Sequence, residues 1–121
     1  MKLLLVTSSP LHSTYGGGQI YVKNLVDELV RQGISTIIAI PGSCFSQTES
    51  YKGCTIYTFE SSLAQTDFKS LYQLLTEVKP DIVHAHGFKT PFVQACKELN
   101  IICIITASQY TWAQYHFCYN I

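Results

Sequence analysis

The sequence predicts an α/β fold: a doubly wound, mostly parallel sheet with helices on both faces. Three observations predict it. Short, unbroken apolar runs recur along the chain, as expected of strands buried on both faces. Stretches with helical spacing separate most of these runs. The resulting order is strand, helix, strand, strand, helix, strand, helix, strand, an alternation with one exception.

Lys2 to Thr7 reads as the first strand, with Leu3, Leu4, Leu5 and Val6 stopped by Thr7, Ser8, Ser9 and Pro10. Ser8 to Gly18 is a loop rich in Ser, Pro and Gly. From Gly18 the period turns helical, and Val22, Leu25, Val26 and Leu29 form one apolar stripe. Lys23, Asp27 and Arg31 alternate in sign at i,i+4 spacing on the other side. Gly33 is a suitable C′ residue to end the helix. Ile34 to Ile40 is the second strand, running to Pro41-Gly42.

Ser43 to Lys52 is polar and reads as a surface excursion, and Cys54 to Phe59 as the third strand. Thr66 or Asp67 can cap a helix carrying Phe68, Leu71, Leu75 and Val78 on one face, with Pro80 ending it. Asp81 to Ala85 is the fourth strand. Thr90-Pro91 reads as an N-cap followed by Pro at the first helical position, with Asn100 as the stop after Leu99. Ile101 to Thr106 is the fifth strand, apolar throughout. Residues 107–121 form a tail in which Tyr110, Trp112, Tyr115, Phe117 and Tyr119 crowd together, dense for a terminus.

Composition narrows the function. The length of 121 residues fits one domain and rules out two. Charged residues make up 13%, about half of the usual share, so apolar surface is expected to await a partner. Eight Lys+Arg balance eight Asp+Glu, which argues against nucleic acid as a partner and against a polybasic membrane anchor. The five cysteines, Cys44, Cys54, Cys96, Cys103 and Cys118, are odd in number and lack Cys-x-x-Cys spacing, so they read as reduced, mostly buried thiols. The apolar N-terminal run is too short for a signal peptide, and no run approaches a transmembrane length. The expected location is the cytoplasm, with the inner face of the membrane as a peripheral variant.

Three places can carry chemistry. Gly16-Gly17-Gly18 follows the first strand and opens the first helix. Glycines there let the backbone approach a ligand, and a helix N-terminus presents free N–H groups to a phosphate. A dinucleotide fingerprint fails, because Tyr21 stands where its third Gly belongs and Ile40-Pro41 where its acidic residue belongs. No Gly-Lys-[Ser/Thr] is present, which excludes a P-loop. The second place is His84-Ala85-His86-Gly87 at the end of the fourth strand. His84 and His86 share a face, but two ligands are not a metal site, and no metal is expected. His84 reads as a buried, hydrogen-bonded histidine. His86 sits at the strand tip, where it can donate a hydrogen bond or shuttle a proton. The third place is Thr106-Ala107-Ser108; without a nucleophile elbow, and with His116 alone following, Ser108 is not expected to act as a nucleophile. Tyr15 and Gln19 flank the glycines as loop supports.

Two of these segments carry a family resemblance. Gly16-Gly17-Gly18-Gln19-Ile20-Tyr21-Val22, continuing through Leu25, Glu28, Leu29 and Gly33, resembles the first loop and helix of the GT-B glycosyltransferases of family 4. Lys79-Pro80-Asp81-Ile82-Val83-His84-Ala85-His86-Gly87 is similar to that family's fourth-strand segment. The resemblance implies a Rossmann-like N-terminal domain, residues 1–106, with 107–121 a truncated continuation of it. It implies a retaining enzyme that moves a sugar from a nucleotide-sugar donor, a substrate rather than a cofactor, to a saccharide or lipid-linked acceptor. A second, C-terminal Rossmann-like domain would grip the nucleotide. By position, Gly16, Gly17 and Gly18 would face the donor diphosphate, and His86, Gly87, Tyr15 and Gln19 would line the acceptor side of the cleft.

The family often shows Thr-x-His at the end of its fifth strand, and that His commonly reaches the reacting sugar. Here Ser108 holds the position, while Tyr110 and Trp112 resemble aromatics of one branch. The catalytic residue is therefore unassigned. The chain is expected to be a fragment, truncated product or degenerate copy, inactive alone. A different class of reading is a non-catalytic module that pairs with a separate C-terminal-domain polypeptide. A third is an unrelated flavodoxin-like domain that binds a small molecule.

Overall fold

The computed structural model describes residues 1–8, 17–42, 44–60 and 69–106. The elements are β1 (Lys2–Val6), α1 (Gly17–Arg31), β2 (Ser35–Gly42), β3 (Ser46–Tyr51), β4 (Cys54–Glu60), α2 (Lys69–Val78), β5 (Ile82–Ala85), α3 (Lys89–Leu99) and β6 (Ile102–Ile105). They build one six-stranded sheet in the order β3-β4-β2-β1-β5-β6. Every pairing is parallel except β3 with β4. The doubly wound α/β class expected from the alternation is thus the one observed.

The apolar run of β1 is buried on both faces, as its lack of alternation implied. Leu3 and Leu5 pack with Val22 and Val26 of α1, Ile38 of β2 and Ile56 of β4. Leu4 and Val6 point the other way, into a cluster with Leu71, Leu74 and Leu75 of α2, Phe92 and Cys96 of α3, and Phe59. Among the described residues, one helix therefore covers one face of the sheet and two cover the other. Burying each such Leu stabilises the fold by roughly 1.5–3 kcal/mol. Phe59 anchors the second face, meeting Phe88 and Phe92 edge-on with ring centroids 5.3 Å away in both cases.

Helix α1 ends at Gly33 as expected. The Gly33 amide donates to Val30 O and the Ile34 amide to Leu29 O, both at 3.0 Å, which is the Schellman pairing. Its charges pair differently from the expected ladder. Arg31 bonds Glu28 one turn back, and Asp27 takes Lys52 from the β3–β4 turn at 2.9 Å. A cross-element cation reaches Asp27 because β4 packs beneath α1. Strand β2 runs two residues further than expected, through Pro41 and Gly42, paired only with β4 there. Since Ala39 O accepts from the Thr7 amide, the alternating backbone of Pro41 faces the side that β1 has already left. No ladder bond is lost to the missing N–H.

Within the polar stretch read as a surface excursion, Ser46–Tyr51 is a strand. β3 pairs antiparallel with β4 through the turn Lys52-Gly53, whose φ values are 49° and 85°. Two positive φ values in a two-residue hairpin are the type I′ signature, and the Gly supplies the second. β3 lies at the sheet edge, where polar residues are tolerated, so it carried no apolar signal.

The expected caps of α2 at Thr66 and Asp67, with Phe68, lie outside the described residues. The helix ends at Val78, where Lys79 turns left-handed with φ 51° ahead of Pro80. Asp81 then clamps the start of β5 to β1: its Oδ2 accepts from the Lys2 amide at 2.7 Å, and its own amide donates to Lys2 O at 2.9 Å. Helix α3 begins earlier than Thr90-Pro91 suggested. Phe88, left-handed at φ 52°, is the N-cap residue, so Thr90 and Pro91 fall inside the first turn. Pro is accepted there because first-turn amides have no intrahelical acceptor. Asn100 closes α3 in a left-handed conformation, and the Ile101 amide returns to Cys96 O at 2.8 Å.

Strand β6 differs from the other apolar strands. It is an edge, and Ile102 and Ile104 stand 63% and 47% exposed. In register they sit beside Ile82 and His84, on the α1 side of the sheet. α1 does not extend over β6, so this side is uncovered among the described residues. No helix among the described residues is long and apolar enough to cross a membrane. The aromatic tail lies outside the described residues.

Candidate functional site

The strand order places a switch point beside β1. From β1 the chain goes through α1 to β2 on one side. From β4 it crosses through α2 to β5 on the other. Open α/β sheets bind ligands in the crevice outside the carboxyl ends of strands at such a point. Here those ends belong to β1 and β5.

From β1 the chain leads toward the N-terminus of α1, whose first two residues are Gly17 and Gly18. First-turn amides have no intrahelical acceptor and lie at the positive end of the helix dipole. No acidic residue occupies that first turn, so nothing there repels an anion. Gly16 and Tyr15 lie outside the described residues, as does the side chain of Gln19. The phosphate-facing loop expected from the three glycines is thus described only at Gly17 and Gly18.

From β5 come His84, His86 and Gly87. His84 is half-buried, and its Nε2 lies 2.6 Å from Thr106 Oγ1. This is the tied histidine the sequence suggested. Burial pushes its pKa below the usual value, and the neighbouring His86 adds to the effect. His86 lies just past the strand, with its amide bonded to Val6 O at 2.8 Å. Its ring stacks on Tyr21, centroids 5.3 Å apart and planes 25° apart. Burial lowers its pKa too, with the Lys89 cation contributing. Both imidazoles are therefore held neutral near pH 7, and a neutral ring offers one donor and one acceptor nitrogen. His86 Nδ1 is buried and has no hydrogen-bond partner among the described residues.

Gly87 closes the crevice floor. A Cβ built on it would stand 2.8 Å from the Ser8 backbone N and 2.9 Å from Ser8 Cβ. The segment leaving β1 therefore passes against the tip of β5 at a distance only Gly permits.

The contact of Tyr21 with His86 was not read from the sequence, where Tyr21 stood as a missing glycine of a dinucleotide fingerprint and as one position of the resembling helix segment. Its place four residues after Gly17, aromatic and 44% exposed beside the apolar stripe, was the available signal. One turn of helix, about 5.4 Å of rise, separates the α1 N-terminus from the residue that holds His86. Ser108 and His116 lie outside the described residues, so the structure does not place them. Among the described residues no group of three or more His, Cys, Asp or Glu converges as a metal site.

The sequence model of Glycosyltransferase Family 4 matches residues 15–116, spanning both the glycine segment and the His84–Gly87 segment. The chain belongs to glycosyltransferase family 4. Solved structures share the fold of this family 4 domain. Sucrose-phosphate synthase from Thermosynechococcus elongatus superposes with a TM-score of 0.66 at 11% identity, over 95% of this chain and 35% of that one. The precorrin-6A reductase CobK superposes with a TM-score of 0.54 at 16% identity, over 93% of this chain and 41% of that one. At these identities the likeness shows the fold alone. The chain spans roughly a third of the synthase and two fifths of the reductase. Comparison with curated proteins gives no match.

Proposed function

We propose that this family 4 domain is the acceptor-side half of a retaining glycosyltransferase. The observation that carries the reading is the convergence at one switch point of the α1 N-terminus and the neutral, Tyr21-stacked His86. Glycosyl transfer develops negative charge on the leaving diphosphate. Preorganised amides at Gly17 and Gly18, with Gly16 beside them, would receive that charge without reorganisation. His86 and Gly87, with Tyr15 and Gln19, would line the acceptor side. A neutral His86 can accept a hydrogen bond from a sugar hydroxyl and orient it. The acceptor is a saccharide or a lipid-linked saccharide. No cofactor or metal is required in this reading, and the nucleotide-sugar enters as a substrate.

Gripping the nucleotide requires a second Rossmann-like unit facing this crevice, in the same polypeptide or another. The 121 residues alone are then not catalytic, and their place is the cytoplasm, where nucleotide-sugars are made. Incubating them with radiolabelled UDP-, GDP- and ADP-sugars and mixed oligosaccharides is expected to give neither transfer nor hydrolysis. Sugar transfer or donor hydrolysis by this chain alone would overturn the reading.

The exposed Ile102 and Ile104 favour a second reading, a non-catalytic module whose β6 face pairs with a separate polypeptide. A chain that stays monomeric and binds saccharides at His86 decides against it.

A further inference from the structure

Toward the C-terminal end of α3, away from the crevice, two cysteines line one cavity. Cys96 lies on the last turns of α3 and Cys103 on β6, and they are 0% and 4% exposed. Both belong to the same packed cluster and both are free thiols. The backbone holds them in place from both sides. The Ile101 amide donates to Cys96 O at 2.8 Å, and Cys103 is in register with Val83 of β5. Both residues line a cavity of about 290 Å³, bounded also by Lys97, Asn100 and Ile102, which are exposed to solvent.

We propose that Cys96 and Cys103 are an oxidative modification site, a dithiol that a small organic disulfide converts to an intramolecular disulfide. In the first step the Cys103 thiolate attacks one sulfur of the reagent, forming a mixed disulfide and releasing one reagent thiol. In the second the Cys96 thiolate attacks the Cys103 sulfur, the new bond forms and the second reagent thiol leaves. The two protein thiols lose two electrons and two protons, and the reagent disulfide takes them up as two thiols.

The two sulfurs are not equivalent. The Cys96 thiol donates a hydrogen bond to the Cys103 sulfur, which lowers the Cys103 pKa against the effect of burial. The same bond, with burial, pushes the Cys96 thiol up. Cys103 keeps 4% of its surface exposed against 0% for Cys96, so Cys103 is the attacking sulfur and Cys96 the resolving one. The cavity gives a reagent a route to this pair, which is otherwise buried in the packed core. Once formed, the bond staples the C-terminal turn of α3 to β6. That strand leads to Thr106, the residue that holds His84. The inference stands on α3 and β6 alone and does not depend on the proposed acceptor role.

The test is treatment of the full chain with glutathione disulfide, then denaturation, alkylation with iodoacetamide and peptide mapping by mass spectrometry. The expected product is a peptide pair joined through Cys96 and Cys103, two hydrogens lighter than the reduced pair, with Cys44 and Cys54 fully alkylated. Cys96→Ser is expected to stop at a glutathione adduct on Cys103. Cys103→Ser is expected to leave Cys96 unmodified. The wild-type map decides the matter even where a variant fails to fold. Alkylation of both Cys96 and Cys103 after treatment, a stable adduct on either in the wild type, or a bond from either to another cysteine would overturn the proposal.

Discussion

Substituting Gly87 by Ala tests the close passage between the tip of β5 and the segment leaving β1. The added Cβ would stand 2.8 Å from Ser8 N, 2.9 Å from Ser8 Cβ and 3.1 Å from Ser8 Cα. Two of these are backbone atoms, so no rotamer change relieves the contact. Reaching ordinary van der Waals separation requires Ser8 and Gly87 to part by about half an ångström. The Gly87 amide bond to Val6 O, 3.1 Å long, is then drawn toward the limit of hydrogen bonding. Overpacking of this kind costs about 1–3 kcal/mol. The stiffer unfolded chain returns about 0.4–1 kcal/mol. The net loss is on the order of 1–2 kcal/mol, a fall in Tm of roughly 4–8 °C for a domain of this size. Urea denaturation followed by circular dichroism reads it as a lower midpoint at unchanged slope. A variant within about 0.5 kcal/mol of wild type would refute the passage, because that is the range of an unremarkable surface change.

Three further outcomes are expected. Phe59→Ala removes a ring that meets both Phe88 and Phe92 edge-on, and is expected to cost about 3–5 kcal/mol in the same assay. His84 and His86 have folded pKa values below the ordinary 6.5, so the unfolded chain binds more protons as pH falls. Their contribution to stability is complete above pH 6.5 and is lost as pH falls through their lower folded values. Tm measured from pH 7.5 down to pH 5 should therefore decline, and His84→Gln should flatten the decline. Tyr21→Ala uncovers the His86 ring and is expected to raise the His86 pKa toward 6.5, read by NMR titration of its ring protons.

Much of the fold was legible because burial left a plain mark. Strand β1 is covered on both faces, and its sequence is apolar at every step from Leu3 to Val6. Asn100 and Gly33 were readable as helix ends because left-handed positions select those residues. Strand β3 was not legible, since an edge strand needs no apolar face and only Lys52-Gly53 betrayed its hairpin. The start of α3 was misplaced because Pro91 fits anywhere in a first turn, while the N-cap is Phe88, left-handed, in contact with Phe59 and without a side-chain cap bond. At the crevice, the glycines and His86 were visible as residue types at strand and helix ends. The stack of Tyr21 on His86 was not, because it joins α1 to β5 across 65 positions of sequence and no local pattern encodes it.

The central claim is that the crevice between β1 and β5 takes a sugar acceptor and leaves the nucleotide to another unit. Its most direct test is a 15N–1H correlation titration of the intact chain. One series adds mono- to trisaccharides, and the other adds UDP, GDP and ADP. The account predicts saturable shifts centred on Tyr21, His86 and Gly87 with a saccharide. It predicts weaker, diphosphate-dependent shifts at Gly17 and Gly18 that do not distinguish one base from another. Tight binding of one nucleotide over the others, or saccharide shifts that leave Tyr21, His86 and Gly87 unmoved, would contradict it.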